Sequence, residues 1–251
     1  MKILISNDDG VYAIGIATLA AELSKISEIT VIAPDRNRSG ASNSLSVQNP
    51  LRIQRLDNGY YSVTGTPTDC VHVAATGMFS SIKFDMVVSG INAGANMGDD
   101  IIYSGTLAAA TEGGILGIPS VAFSLAGKDP QQNYVTAALV ARQIVERLRK
   151  VPLPKATILN VNIPDIPLKE LQGFELTRLG KRHPAQPAIK ALDPRGYPIY
   201  WIGASGLAED AGSGTDFYAI HKNKVSITPI QIDMTNYSVF DTIKTWISGL
   251  V

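Results

Sequence analysis

Five runs of apolar, β-branched-rich residues, alternating with stretches of helical periodicity, limit the fold of this chain more than any other feature. They are KILIS (2–6), EITVIAP (28–34), FDMVVSG (84–90), PSVAFSL (119–125) and TILNVNI (157–163). A strand with one face in water alternates apolar and polar residues, so near-continuous apolar runs mean that both faces are covered. Helices are predicted between them near 14–25, 68–79, 104–117 and 133–150. In the last of these, Val135, Ala138, Leu139, Arg142, Val145 and Leu148 trace one stripe. The order strand, helix, strand, helix predicts an α/β fold, a parallel sheet with helices on both faces. After residue 164 the rhythm breaks into Pro- and Gly-rich pieces, with short strands expected at 197–202 and 225–233 and a closing helix from about 238.

At 251 residues the chain buries a sizeable core without disulfide or metal staples, so folding itself needs no ion. Equal numbers of basic and acidic side chains, 22 each, give no broad field for a nucleic acid polymer or an anionic membrane; any nucleotide partner is expected to be small. The single cysteine, Cys70, excludes a disulfide framework and a thiolate metal cluster. No signal-peptide pattern and no run of about 20 apolar residues is present, and the expected location is cytoplasmic.

In an open parallel sheet, ligands bind beyond the carboxyl ends of the strands. NDDG (7–10) falls there, directly after the first strand. One reading is a turn and helix cap, since Asx side chains satisfy free amides and glycine accepts unusual backbone angles. Yet one cap needs one carboxylate, and two side by side repel unless a cation lies between them. A hard divalent ion, Mg²⁺ or Mn²⁺, accepts carboxylate, carbonyl, hydroxyl and water oxygens. Two further loops on the same edge offer such oxygens: APDRNRSGASNS with Asp35, Ser39, Ser42 and Asn43, and SGINAGANMGDD with Asn92 and Asn96. In YSGTLAAATEGG, the residues Ser104, Gly105 and Thr106 stand before a run of helix formers, where amides and hydroxyls make a phosphate site. Metal oxygens beside a phosphate site point to metal-assisted phosphoryl chemistry.

NDDG, APDRNRSGAS, GTPTDCV (65–71), SGINAGANMG (89–98), YSGTLAAATEG (103–113) and TDFYAIHKNKVSITPI (215–230), in this order, resemble the survival protein E (SurE) family of 5′/3′-nucleotidases. The resemblance implies a metal-dependent phosphomonoesterase acting on nucleoside monophosphates and, in some members, on short polyphosphate. It implies one divalent ion per subunit, with ligands at Asp8, Asp9, Ser39 and Asn92. Asn96, Ser104, Gly105 and Thr106 match positions lining the phosphate site. The implied fold is a Rossmann-like core, here 1–164, followed by a portion with an extended hairpin, here 165–251, that exchanges between subunits in dimers and sometimes tetramers. Asp8 and Asp9 are also the candidates for taking the proton of the attacking water, and the sequence does not choose between them.

Other residues invite a role and receive a plainer one. His72, His183 and His221 are widely spaced, and His72 is expected to pack or cap. Asp69 reads as an N-cap or dipole partner and Cys70 as a small buried residue. Arg36 and Arg38, just before Ser39, could meet phosphate but read more simply as exposed loop arginines, and TRLGKRH (177–183) reads as a solvated basic face. Tyr200 and Trp201 offer rings that could stack on a base, while alternation in YPIYWIG equally makes one of them core. The first strand-to-helix turn lacks G-x-G-x-x-G, and no Gly-Lys-Ser/Thr occurs, so neither a dinucleotide-binding oxidoreductase nor a P-loop enzyme fits. The adjacent acids also miss the D-x-D spacing of a haloacid-dehalogenase-type phosphatase, the main enzymatic alternative.

Overall fold

The computed structural model describes residues 1–127 and 133–250. Along the first part run β1 (Lys2–Ser6), α1 (Ile14–Leu23), β2 (Glu28–Pro34), β3 (Ile53–Arg55), β4 (Tyr61–Val63), α2 (Pro67–Val73), β5 (Met86–Ala93), α3 (Gly105–Ile115), β6 (Ser120–Ala126), α4 (Tyr134–Lys150) and β7 (Ile158–Pro164). Then follow β8 (Phe174–Leu176), β9 (Lys181–Arg182), β10 (Ile189–Leu192), β11 (Pro198–Trp201), β12 (Ala208–Asp210), α5 (Asp216–His221), β13 (Val225–Ile230) and α6 (Phe240–Ile247).

Nine strands form one sheet in the order β3-β4-β2-β1-β5-β6-β7-β13-β8. The pairs β1–β2, β1–β5, β5–β6 and β6–β7 are parallel, as the alternating pattern predicts. The chain runs from β1 to β2 on one side and returns to place β5 on the other, so the order reverses between β1 and β5. That is the topological switch point at which an α/β sheet opens a crevice.

Successive residues of the strands feed opposite faces. Ile3, Ile5, Val31, Val88, Phe123 and Val161 pack with α1 and α4, whereas Leu4, Ile32, Val87, Cys70, Val71 and Ala109 meet on the α2 and α3 side. Each fully buried Ile, Leu or Phe contributes about 1.5–3 kcal/mol relative to exposure, and the doubly covered strands supply most of them. The buried stripe of α4 runs through Ala137, Val140, Ala141, Ile144 and Val145. It is rotated from the expected one: Ala138 and Val145 are buried as read, while Val135 turns out to solvent.

Beyond residue 164 the chain returns to the sheet. β13 pairs antiparallel with β7, Ser226 opposite Asn162, and parallel with β8. β10 and β11 form a separate two-stranded hairpin, Ile189 opposite Trp201. Tyr200 and Trp201 are both exposed, which corrects the reading that one of them is core: among the described residues nothing covers either ring. Among the described residues no helix is long and apolar enough to cross a membrane.

Candidate active site

β1 delivers NDDG to the crevice. The turn there is made by Asn7, whose Nδ2 donates to Gly10 O at 3.0 Å while Gly10 N donates to Asn7 Oδ1 at 3.2 Å. Gly10 has φ 103° and lies against Arg36, whose carbonyl carbon would be 3.0 Å from an added Cβ. The next helix starts from Ala13 with no side-chain cap. Asp8 and Asp9 are therefore spent on neither the turn nor the cap: the turn falls to Asn7 alone, and no side chain caps α1.

The two carboxylates are held from two directions. Thr106 Oγ1 donates to Asp8 Oδ1 at 2.5 Å, and Ala93 N donates to Asp9 Oδ2 at 2.9 Å, at the end of the strand that carries Asn92. Asn92, half-buried, donates from Nδ2 to Gly94 O at 2.9 Å. Ser39 is exposed and receives no side-chain link to the pair; its segment is fastened by the preceding residue, Arg38 N donating to Asp8 O at 2.7 Å. Ser42 Oγ in turn donates to Ile102 O at 2.7 Å, joining the Ser39 loop to the approach of α3.

At the start of α3 the three expected phosphate residues have distinct duties. Ser104 is the N-cap, accepting from Leu107 N at 3.0 Å. Gly105 admits Asp8: a Cβ there would lie 2.6 Å from Asp8 Cβ and 2.9 Å from its Oδ2. Thr106 spends its hydroxyl proton on Asp8, so the donors this helix start can offer an anion are backbone N–H groups and the Ser104 O–H.

Asp8 is 4% exposed. Burial pushes its pKa from 3.8 up to about 6, against the Thr106 hydrogen bond, which lowers it, and with the neighbouring charge of Asp9, which raises it. Asp9 is raised by burial and lowered by the Ala93 N–H. Among the described ion pairs none brings a basic side chain to either carboxylate. Buried acids without a cation are costly, and a divalent ion relieves both desolvation and mutual repulsion. No group of three or more His, Cys, Asp and Glu is arranged for a metal among the described residues. The available set is instead two carboxylates plus neutral amide and hydroxyl oxygens, which fits a hard ion of the Mg²⁺ or Mn²⁺ type.

Several residues at the site escape a reading based on motifs. Asn160 and Asn162 on β7 and Ser124 on β6 all hydrogen-bond to Asn96; two asparagines at i and i+2 in an apolar strand were the available signal. Asp216, fully buried, accepts from Gly98 N at 2.7 Å and Gly180 N at 2.9 Å, fastening the loop after Asn96 to the C-terminal part. Arg182 backs this joint, facing Asp100 at 2.5 Å and stacking over Phe217 at 4.9 Å, so the basic stretch around it is only partly a solvated face. Asp69 is the partner in a capping box whose cap is Thr66, not the cap itself. His72 is exposed rather than packed, its Nδ1 2.7 Å from Glu112 Oε1, and Cys70 is buried as expected.

Comparison with known proteins agrees with this arrangement. The family model described as survival protein SurE matches residues 3–186. A 5′-nucleotidase SurE of Legionella pneumophila (strain Corby) is 61% identical over 241 residues, covering 96% of this chain and 95% of that protein. One from Coxiella burnetii (strain RSA 331) is 56% identical over 250 residues, 100% of this chain and 96% of its own. The crystal structure of the SurE protein from Aquifex aeolicus superposes with a TM-score of 0.87 at 42% identity, over 98% of this chain and 100% of the other. A sheet with its acid pair at the switch point, and relatives matched over nearly their whole length, lead to one conclusion: the chain belongs to the SurE family.

Proposed function

We propose that the protein is a divalent-metal-dependent 5′-nucleotidase that hydrolyses nucleoside monophosphates to nucleoside and phosphate. The observation that carries the reading is the adjacent pair of buried Asp8 and half-buried Asp9, which no described basic side chain neutralises, beside the N-terminus of α3. The relatives named 5′-nucleotidase support it.

Asp8 and Asp9, with the oxygens of Ser39 and Asn92, would hold one Mg²⁺ or Mn²⁺ per subunit. Such an ion supplies charge neutralisation and a bound water of lowered pKa. The Gly105 and Thr106 amides, the Ser104 hydroxyl and the Asn96 segment would receive the phosphoryl oxygens, whose negative charge suits a helix N-terminus. A phosphate monoester dianion repels hydroxide, so the chain's contribution is to fix substrate and water in line and to keep an anionic oxygen of the pair as proton acceptor. All of these groups address the phosphoryl end, which extends the proposal to 3′-monophosphates and to the ends of short polyphosphate.

Residues 1–164 would form the catalytic core and 165–251 the assembling portion; residues 128–132 and 251 of these ranges lie outside the described residues. The hairpin exposes Ile189, Tyr200 and Trp201, and α6 exposes Phe240, Trp246 and Ile247 with no buried residue of its own. Apolar area of this kind suits burial between subunits, in a homodimer or tetramer.

Phosphate release from a panel of nucleoside monophosphates, with Mn²⁺, with Mg²⁺ and with excess chelator, tests the reading. Activity is expected only with a divalent ion, while circular dichroism stays native under chelation. Full activity at demonstrated zero metal content, or no release from any nucleotide, would sink it.

A further inference from the structure

β7 carries Asn160 and Asn162 alternating with Leu159, Val161 and Ile163, so both amides leave the same face of the strand, and both are fully buried. Their partner is one peptide unit in the loop after β5. Asn162 Oδ1 accepts from Asn96 N at 2.8 Å and its Nδ2 donates to Asn96 O at 2.8 Å, while Asn160 Nδ2 donates to the same oxygen at 2.9 Å. Exchanging the O and N of the Asn162 amide would set donor against donor and acceptor against acceptor, so its orientation is fixed by the backbone it grips. The Asn96 side chain continues the chain of contacts. Its Nδ2 donates to Ser124 Oγ at 2.7 Å, on the residue that pairs with Asn162 in the sheet, and reaches Thr106 Oγ1 at 3.4 Å. A Thr106 hydroxyl that faces an N–H donor directs its own proton elsewhere, and it lies on Asp8 Oδ1.

We propose that Asn162, assisted by Asn160, is a positioning residue of the active site: it fixes the Asn96 peptide and, through the Asn96 and Thr106 side chains, the orientation of the Asp8 carboxylate. The inference rests on the metal-dependent reading above, and assigns the precision of that site to a strand two positions away from β5 in the sheet. The Asn162 amide is paired through both its oxygen and its nitrogen, whereas Asn160 contributes only its Nδ2 and leaves its Oδ1 without a partner, so Asn162 is the member that sets the geometry.

The experiment compares wild type with Asn162→Ala, Asn162→Leu and Ser124→Ala, and with Val145→Ala in α4 as a core substitution remote from the network. Mn²⁺ dissociation constants are measured by calorimetry on the folded proteins, then kcat and KM for a nucleoside monophosphate at saturating Mn²⁺. Both Asn162 variants are expected to weaken Mn²⁺ binding about tenfold and to lower kcat more than they raise KM, since a misdirected carboxylate harms the reacting geometry before the encounter. Ser124→Ala, which releases the Asn96 side chain but not its backbone, is expected to move both quantities in the same direction by a smaller factor. It keeps the test open if the Asn162 variants fold poorly. Val145→Ala should lower the melting temperature and leave the dissociation constant alone. If the Asn162 and Ser124 variants lose melting temperature with Mn²⁺ affinity and kcat within twofold of wild type, the network is a stabilising one and the positioning role is wrong. If wild type itself neither binds Mn²⁺ nor releases phosphate, the metal-dependent reading falls and this inference with it.

Discussion

Thr106 and Asp8, 98 residues apart in the chain, share a hydrogen bond of 2.5 Å that joins the first residue pair beyond β1 to the first turn of α3. The bond couples two functions the motifs suggest separately, a metal ligand and a phosphate-binding helix start.

Thr106→Val tests that coupling. The change removes the hydroxyl at nearly constant shape and leaves Asp8 without its side-chain donor, a loss of about 1.5–3 kcal/mol for a hydrogen bond to a charged group. Mn²⁺ affinity is expected to fall accordingly, and Thr106→Ser to restore most of it. Calorimetric titration of the two variants decides; unchanged Mn²⁺ affinity in Thr106→Val would separate the two functions again.

The pH dependence follows from Asp8. Burial raises its carboxyl to about 6 when folded against an ordinary 3.8, so between those pH values the native state holds a proton that the unfolded chain has released. Asp8's contribution to stability is therefore fully present below pH 3.8 and is lost as pH rises through about 6. A divalent ion competes with that proton, so the rise in Tm on adding Mn²⁺ is expected to grow over the same interval and to flatten above it. Thermal melts with chelator and with Mn²⁺, for wild type and Asp8→Asn, give the comparison. A Mn²⁺ effect that stays constant through pH 6 would argue against Asp8 as a ligand.

Gly105→Ala forces the crowding that glycine avoids. The added methyl would sit 2.6 Å from Asp8 Cβ, and overpacking of a buried contact costs about 1–3 kcal/mol. Hydrolysis is expected to fall far more than stability, because either α3 or the carboxylate must move. Equal turnover in the variant would mean that the close approach has no bearing on the chemistry.

Asp216→Asn probes the joint with the C-terminal part. Asn keeps one acceptor but turns an NH₂ toward a backbone N–H of Gly98 or Gly180, leaving a buried donor unmet at about 1–3 kcal/mol. The Gly98 amide is expected to exchange faster with solvent, with a smaller change at residues of β1. Hydrogen exchange read by NMR distinguishes this local loosening from a global loss of stability.

Much of the fold was legible because its strands are covered on both sides. β1 and β2 fall at 2–6 and 28–34 as read, and β6 and β7 are displaced by one residue. β5 extends to Ala93 instead of ending at Gly90, since SGIN looks like loop material while Asn92 still pairs with Ser124 on β6. β3 and β4 gave no signal: at three residues each they are too short for a periodic pattern and depend on neighbours for their extended form. At the site, the acids and the start of α3 stood out by motif and position. Asn160 and Asn162 did not, because their meaning lies in a partner more than 60 residues away along the chain.

The antiparallel place of β13 also has a consequence for synthesis. β7, buried along its whole length, pairs with β6 on one side and has β13 on the other. Roughly 60 residues separate Pro164 from Val225, and at about 5–20 residues per second a ribosome needs about 3–12 s to make them. Through that interval the nascent chain presents an open, apolar strand edge, the feature on which growing chains mispair with one another. The arrival of Val225–Ile230 closes it, so slowing translation across the intervening hairpin lengthens the exposure without changing a single residue of the finished protein.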